Sequence, residues 1–198
     1  MKIYDISQEL LSSQVYEGDP TPTARLVRSM DRGESYNLTV LSLCVHNGTH
    51  VDAPRHFISD GADVSHVPLE SCVGYAYVTT QKGNIDSALA TEIIRLAQAL
   101  HPDSARRILV KGDAVLTAEG AKSFVNGGVL LVGTESQSVG QPESPMEVHL
   151  ILLSEGVVLL EGIRLADVSD GVYLLAAQPI SIDGSDGAPV RAILIDKS

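Results

Sequence analysis

The alternation of apolar and polar positions predicts more strands than helices. Asp86 to Leu100 is the clearest helical stretch, with Ala90, Ile93, Ile94, Ala97 and Leu100 on one face and His101-Pro102 at its end. Thr117 to Val125 predicts a shorter helix, closed by Asn126-Gly-Gly128 as a left-handed cap. Ser144-Pro145-Met-Glu147 has the spacing of a capping box with Pro at the first helical position. The helix it starts should reach about Ser154, where Gly156 stops it. Strands are expected at Ile3 to Ile6, 36–45, 73–80, Arg107 to Val110, Val129 to Val132, Val157 to Glu161, 172–175 and 190–195. Several follow one another with no helix between. The pattern is therefore mixed α/β, one β-rich domain over 1–198, and it argues against a simple doubly wound sheet.

Composition narrows the class. A chain of 198 residues can bury a core without disulfide or metal staples. With two Phe, six Tyr and no Trp, that core is aliphatic and any pocket has few rings to offer a substrate. The formal charge of −11 repels phosphate backbones and anionic membrane surfaces, which leaves small molecules as the expected partners. Cys44 and Cys72 lie in apolar stretches and read as buried thiols of a reducing compartment. Met1-Lys-Ile-Tyr-Asp-Ile lacks a signal-peptide core, and no apolar run approaches the roughly 20 residues of a membrane span. The expectation is a cytoplasmic protein.

One segment concentrates the chemistry: His46-Asn-Gly-Thr-His50-Val-Asp52-Ala-Pro-Arg-His56. A helix is disfavoured there by Gly48, Thr49, Val51 and Pro54. Extended, it aims His46, His50 and Asp52 to one face. A straight strand would hold the two imidazoles roughly 13 Å apart. One ion cannot bridge that with bonds of about 2 Å. The chain must bend, and Gly48 bends most cheaply. Two neutral nitrogens and one carboxylate suit Zn²⁺, Mn²⁺ or Fe²⁺ and leave positions open for catalysis. His56 follows Pro54 and can serve as general acid/base or as a further ligand. His66, outside this cluster, reads as structural or exposed.

The segment resembles the signature of the cyclase family, His-x-Gly-Thr-His-x-Asp-x-Pro-x-His, at every fixed position. That family includes bacterial kynurenine formamidases, isatin hydrolases and lactone-opening relatives. Tyr4-Asp-Ile-Ser7 with Val15-Tyr-Glu-Gly-Asp-Pro20 resembles its opening, and Val148-His149 with Leu160-Glu161-Gly resembles its C-terminal ligand pair. The resemblance implies a swivelling β/β/α fold. It implies His46, His50 and Asp52 as metal ligands, with His149 and Glu161 holding a second ion and Asp52 bridging. It makes His56 the catalytic acid/base and implies a homodimer or homotetramer. Tyr16 and Phe57 are the candidates for substrate contact. Zn²⁺ is the first expectation for the metal and Mn²⁺ the second, with one or two ions per subunit.

The implied chemistry is hydrolysis of a small amide, formamide or lactone by a metal-bound water, with His56 passing the proton. Two other readings use the same residues: a dehydration or ring closure, and a metal- or small-ligand-binding module without turnover. Glu135, where many relatives carry Asp, and Gly140, where a relative has Ser-Val-Asp, favour the module. His56 argues against it, because a pure binding site needs no acid/base there.

Overall fold

The structure, a computed structural model, describes residues 1–141 and 144–197. In chain order its elements are β1 (Lys2–Asp5), β2 (Thr23–Arg28), β3 (Leu38–Ser42), β4 (His50–Asp52), α1 (Leu69–Cys72), β5 (Val73–Thr80), β6 (Gly83–Ile85), α2 (Ser87–Leu100) and β7 (Arg107–Lys111). They continue with β8 (Ala114–Leu116), α3 (Ala118–Asn126), β9 (Leu131–Thr134), α4 (Pro145–Ser154), β10 (Val158–Glu161), β11 (Gly171–Ala176), β12 (Gly187–Pro189) and β13 (Ile193–Asp196).

Nine strands form one curled sheet in the order β1-β13-β11-β5-β7-β9-β10-β4-β12. Its centre, β5-β7-β9-β10, is parallel, and α2, α3 and α4 lie between successive central strands. The flanks are antiparallel. Both faces of the central strands are covered, which explains their unbroken apolar runs. Ile108, Val110, Val132 and Leu159 pack with Ile93, Phe124, Val148 and Leu152 of the three helices. Their neighbours Leu109, Leu131, Val158 and Leu160 point the other way, onto Val51, Leu175 and Leu194. The period-two alternation of a strand thus divides the core into two layers.

The expected strand at 73–80 and the helices near 86–100, 117–125 and 145–154 form within a residue or two of their sequence bounds. One local expectation does not. Ser144 makes no side-chain cap bond, so the capping box is absent and Pro145 alone opens α4. The expected left-handed cap after α3 forms at Gly128 (φ 74°), with Gly128 N donating to Val125 O and Val129 N to Phe124 O. Five short strands go beyond the expectation. Two of them, β4 and β12, lie side by side at one edge of the sheet, and β4 carries His50 and Asp52.

Candidate metal centre

Asn47, Gly48 and Thr49 shape the bend of the 46–56 segment. Asn47 closes a tight turn: its side chain accepts from Cys44 N at 2.8 Å, and its own N–H donates to Cys44 O. Gly48 takes φ 66°, a left-handed value, and a side chain there would press on Ser13. Thr49 donates through Oγ1 to Gly162 O at 2.8 Å and accepts from Gln8 N. The chain then enters β4. The rings of His46 and His50 finish 5.0 Å apart, against the 13 Å of a straight strand.

β4 runs between β10 and β12. Its register sets His50 opposite Glu161 and Asp52 opposite Gly187. Alternation sends Val51 to the apolar layer and leaves His50 and Asp52 on the polar face. α4 delivers His149 above them. His50 Nε2 lies 3.3 Å from Asp52 Oδ1 and 3.5 Å from Glu161 Oε2. His149 Nε2 lies 3.3 Å from Glu161 Oε1 and 3.7 Å from Asp52 Oδ2. His46 Nδ1 lies 2.9 Å from Asp52 Oδ1. Three sets of ligand atoms result, each within 4.8 Å: His46/His50/Asp52 and Asp52/His149/Glu161, which share Asp52, and the less buried His46/His56/Asp186.

The donor set suits a divalent cation. Asp52 Oδ2 is buried with no hydrogen-bond partner, which is costly for an anionic oxygen unless a cation faces it. Among the described residues no Lys or Arg pairs with Asp52 or Glu161. The imidazoles are oriented for the task. His50 Nδ1 donates to Gly48 O at 3.1 Å and His149 Nδ1 to Pro145 O at 2.7 Å, so each turns Nε2 inward as a ligand.

A pocket of about 240 Å³ opens over these groups, lined in part by Tyr16, Asp19, His56, Phe57 and Pro145. Tyr16 and Asp19 share a tight turn, Asp19 N donating to Tyr16 O, with Gly18 at φ 94° between them. His56 ends a 3-10 turn, Pro54–His56, and its ring stacks 4.0 Å from that of His46. The structure thus brings together every residue singled out from the sequence. It adds Asp186, whose Oδ2 lies 2.8 Å from His46 Nε2 and 3.3 Å from His56 Nδ1. Asp186 sits in Asp183-Gly-Ser-Asp-Gly187, which reads as a turn in sequence. Its signal is weak: one more Asp-Gly pair. His66 lies outside the site, exposed and paired with Asp63 at 2.8 Å.

Electrostatics follow from burial among carboxylates. Burial pulls the His50 pKa down, but Asp52 and Glu161 outweigh it and raise it to about 10. His46 and His149 are also raised against burial, by Asp52 and by Glu161 respectively. Asp52 is opposed by burial, yet its histidine partners hold it below the usual carboxylate range. His56 moves the other way, lowered chiefly by burial. In the metal-free protein His50 therefore carries a proton at neutral pH, His46 and His149 hold theirs more tightly than a free imidazole, and a metal must compete with those protons. A raised histidine stabilises the fold fully below its unfolded pKa near 6.5 and loses that contribution as pH climbs to its folded value. We expect the melting temperature of chelator-treated protein to fall between pH 7 and 10. Saturating metal should stabilise more and more over that window. Paired thermal melts at each pH check it; parallel curves would contradict it.

The two departures from the family pattern sit away from the ligands. Glu135 accepts from Gly112 N and Leu165 N, tying the β7 turn to the chain beyond β10. At Gly140 a Cβ would stand 2.5 Å from Pro145 Cα, so the missing side chain lets the first turn of α4 seat itself. The neighbouring Val139 N donates to Glu161 Oε1 at 2.7 Å and fixes that carboxylate. Both residues support the scaffold, and neither removes a ligand.

Comparison with known proteins agrees with the resemblance carried by the motif. The Cyclase family model matches residues 4–162. A kynurenine formamidase of Salinibacter ruber is 38% identical, covering 99% of this chain and 98% of its own. A solved structure described as a potential metal-dependent hydrolase with cyclase activity is 25% identical with TM-score 0.80, covering 100% and 98%. Isatin hydrolase A of Labrenzia aggregata shares the fold, with TM-score 0.80 at 20% identity over 98% and 93% of the two chains.

Proposed function

This chain belongs to the cyclase family, and we propose that it is a metal-dependent hydrolase of non-peptide C–N bonds, taking a small amide or formamide of the kind kynurenine formamidases cleave. One observation carries this: both oxygens of Asp52 reach toward separate ligand sets, one of them without a partner, beneath a pocket that also holds His56. A divalent ion bound there lowers the pKa of water towards about 7 and polarises a carbonyl.

The chain's own residues supply the rest. His46, His50 and Asp52, with His149 and Glu161 across from them, are the proposed ligands. Three nitrogens and two carboxylates favour Zn²⁺, with Mn²⁺ second, as one or two ions. His56 is lowered by burial and thus neutral at pH 7, ready to take a proton and return it to the leaving nitrogen. Its Nδ1 faces Asp186, which leaves Nε2 as the exchanging atom. Phe57 and Pro145 give the pocket an apolar wall, and Tyr16 also lines it. A flat aryl group against Phe57 is the substrate part we assign to that wall.

The proposal includes a homodimer. Among the described residues the ribbon β2-β3 pairs only with itself, and it exposes Leu26, Leu38, Val40 and Leu41. Such a ribbon gains stability by covering its apolar side chains. A cytoplasmic location is supported by two free thiols, Cys44 and Cys72. No described helix is long and apolar enough to cross a membrane.

The test is metal analysis of the purified protein, then assay of the Zn²⁺ and Mn²⁺ forms on N-formylkynurenine, isatin and simple lactones. Cleavage of a formamide or lactam is the expected result, with ¹⁸O from solvent entering the acid product. Metal-loaded protein inert to the whole panel would overturn the hydrolase reading.

A further inference from the structure

Asp186 lies outside the 46–56 motif and outside the two ligand sets that share Asp52, and meets the site only at His46 and His56. One oxygen, Oδ2, faces His46 Nε2 at 2.8 Å and His56 Nδ1 at 3.3 Å. A carboxylate oxygen has two lone pairs and can accept from both rings at once. The two rings stack 4.0 Å apart, so a single acceptor at their edge sets the rotation of each.

The loop carrying Asp186 is built to hold that place. Ala53 N donates to Asp186 O, and Val64 N to Ser185 O, both at 2.9 Å. Asp63 Oδ2 accepts from Gly184 N at 2.8 Å. Ser185 Oγ donates to Gly187 O at 2.8 Å. Gly187 then leaves room for the ring: a Cβ there would meet His46 Cε1 at 2.8 Å. The segments on either side of His56 thus anchor the carboxylate that contacts it.

We infer that Asp186 is a positioning residue shared by His46 and His56, fixing both in the tautomer the reaction uses. By holding the Nε2 hydrogen of His46 it leaves Nδ1 as the lone pair facing Asp52. By holding the Nδ1 hydrogen of His56 it leaves Nε2 free toward the pocket. The same geometry recurs where a carboxylate orients a metal-bound imidazole or a catalytic one. Here one carboxylate does both. The inference deepens the hydrolase reading and rests on it for the role of His56.

The test is Asp186→Asn, with Asp186→Ala as a second variant. Both keep the backbone anchors, and unchanged near-ultraviolet circular dichroism verifies the fold. In ¹⁵N-histidine-labelled, metal-free wild type, NMR at a pH where His56 is neutral should show it as the Nδ1–H tautomer. Asp186→Asn should shift it toward Nε2–H. Zn²⁺ affinity, read by chelator competition, should fall about 10- to 100-fold. At saturating metal kcat should fall about 100-fold, with KM changed less than about threefold. In a His56→Ala background Asp186→Asn should cost kcat less than about threefold more, because its partner in proton transfer is already gone. An unchanged tautomer, or fully additive losses in the double variant, would overturn the inference. If wild type itself turns nothing over, the hydrolase reading fails, while tautomer and metal affinity still decide the role of Asp186.

Discussion

His56→Ala is expected to keep its metal and lose turnover by about 10²- to 10⁴-fold, the usual contribution of a positioned acid/base. The ring is outside both ligand sets that share Asp52, so its removal leaves five donors in place. Its contacts are a stack on His46, an edge-on contact with Phe57 at 4.4 Å, and the bond to Asp186. None of these holds β4 in its register, which depends on backbone pairing with β10 and β12. The fold should therefore survive. Metal content by elemental analysis should match wild type, and KM should stay within a few-fold. Because wild-type His56 is lowered by burial, the rate should begin to decline only on the acid side of the ordinary histidine range. In the variant that acid limb should disappear with the bulk of the rate. Near-normal kcat in His56→Ala with full metal would remove His56 from the proton-transfer role.

The two halves of the site were unequally legible in sequence. The 46–56 segment declares itself because its ligands are local and because bond lengths alone demand a bend. Gly48 at φ 66° is that bend. His149 and Glu161 are different. A histidine on an apolar helix and a glutamate ending an apolar strand look alike whether they bind metal or not. Only the family resemblance singled them out, and only the β4–β10 register puts Glu161 opposite His50. Asp186 was beyond reach. It lies 140 residues from His46 and 130 from His56, in a stretch whose composition signals a turn. β12 is three residues long, too short for alternation to register, and ends in Pro189. The central strands and the helices α2, α3 and α4 were legible because they bury regular patterns over more residues. The failure at Ser144 has a local cause: its backbone, at φ −152° and ψ 60°, is not in the cap conformation that would aim its hydroxyl at the first turn.

Asp52→Asn should have the larger consequence, because one carboxylate serves both ligand sets. The substitution keeps the shape of the side chain and removes its charge. An amide cannot present two anionic oxygens, so each set loses its shared ligand. Metal chemistry of this kind contributes several kcal/mol to transition-state stabilisation. At about 1.4 kcal/mol per tenfold, that corresponds to a loss of at least about 10³-fold in kcat/KM. Metal content after dialysis should fall with it, unlike in His56→Ala, and this contrast separates ligand from acid/base. The metal-free protein offers a second readout. Asp52 is a cause of the raised pKa of both His46 and His50. Without its charge the two imidazoles should titrate lower, against burial that already opposes their protonation. The stability that wild type loses between pH 7 and 10 should then be largely absent in Asp52→Asn, and its melting curve should be flatter across that window. Full metal retention together with an unchanged pH profile would show that Asp52 is not the bridge.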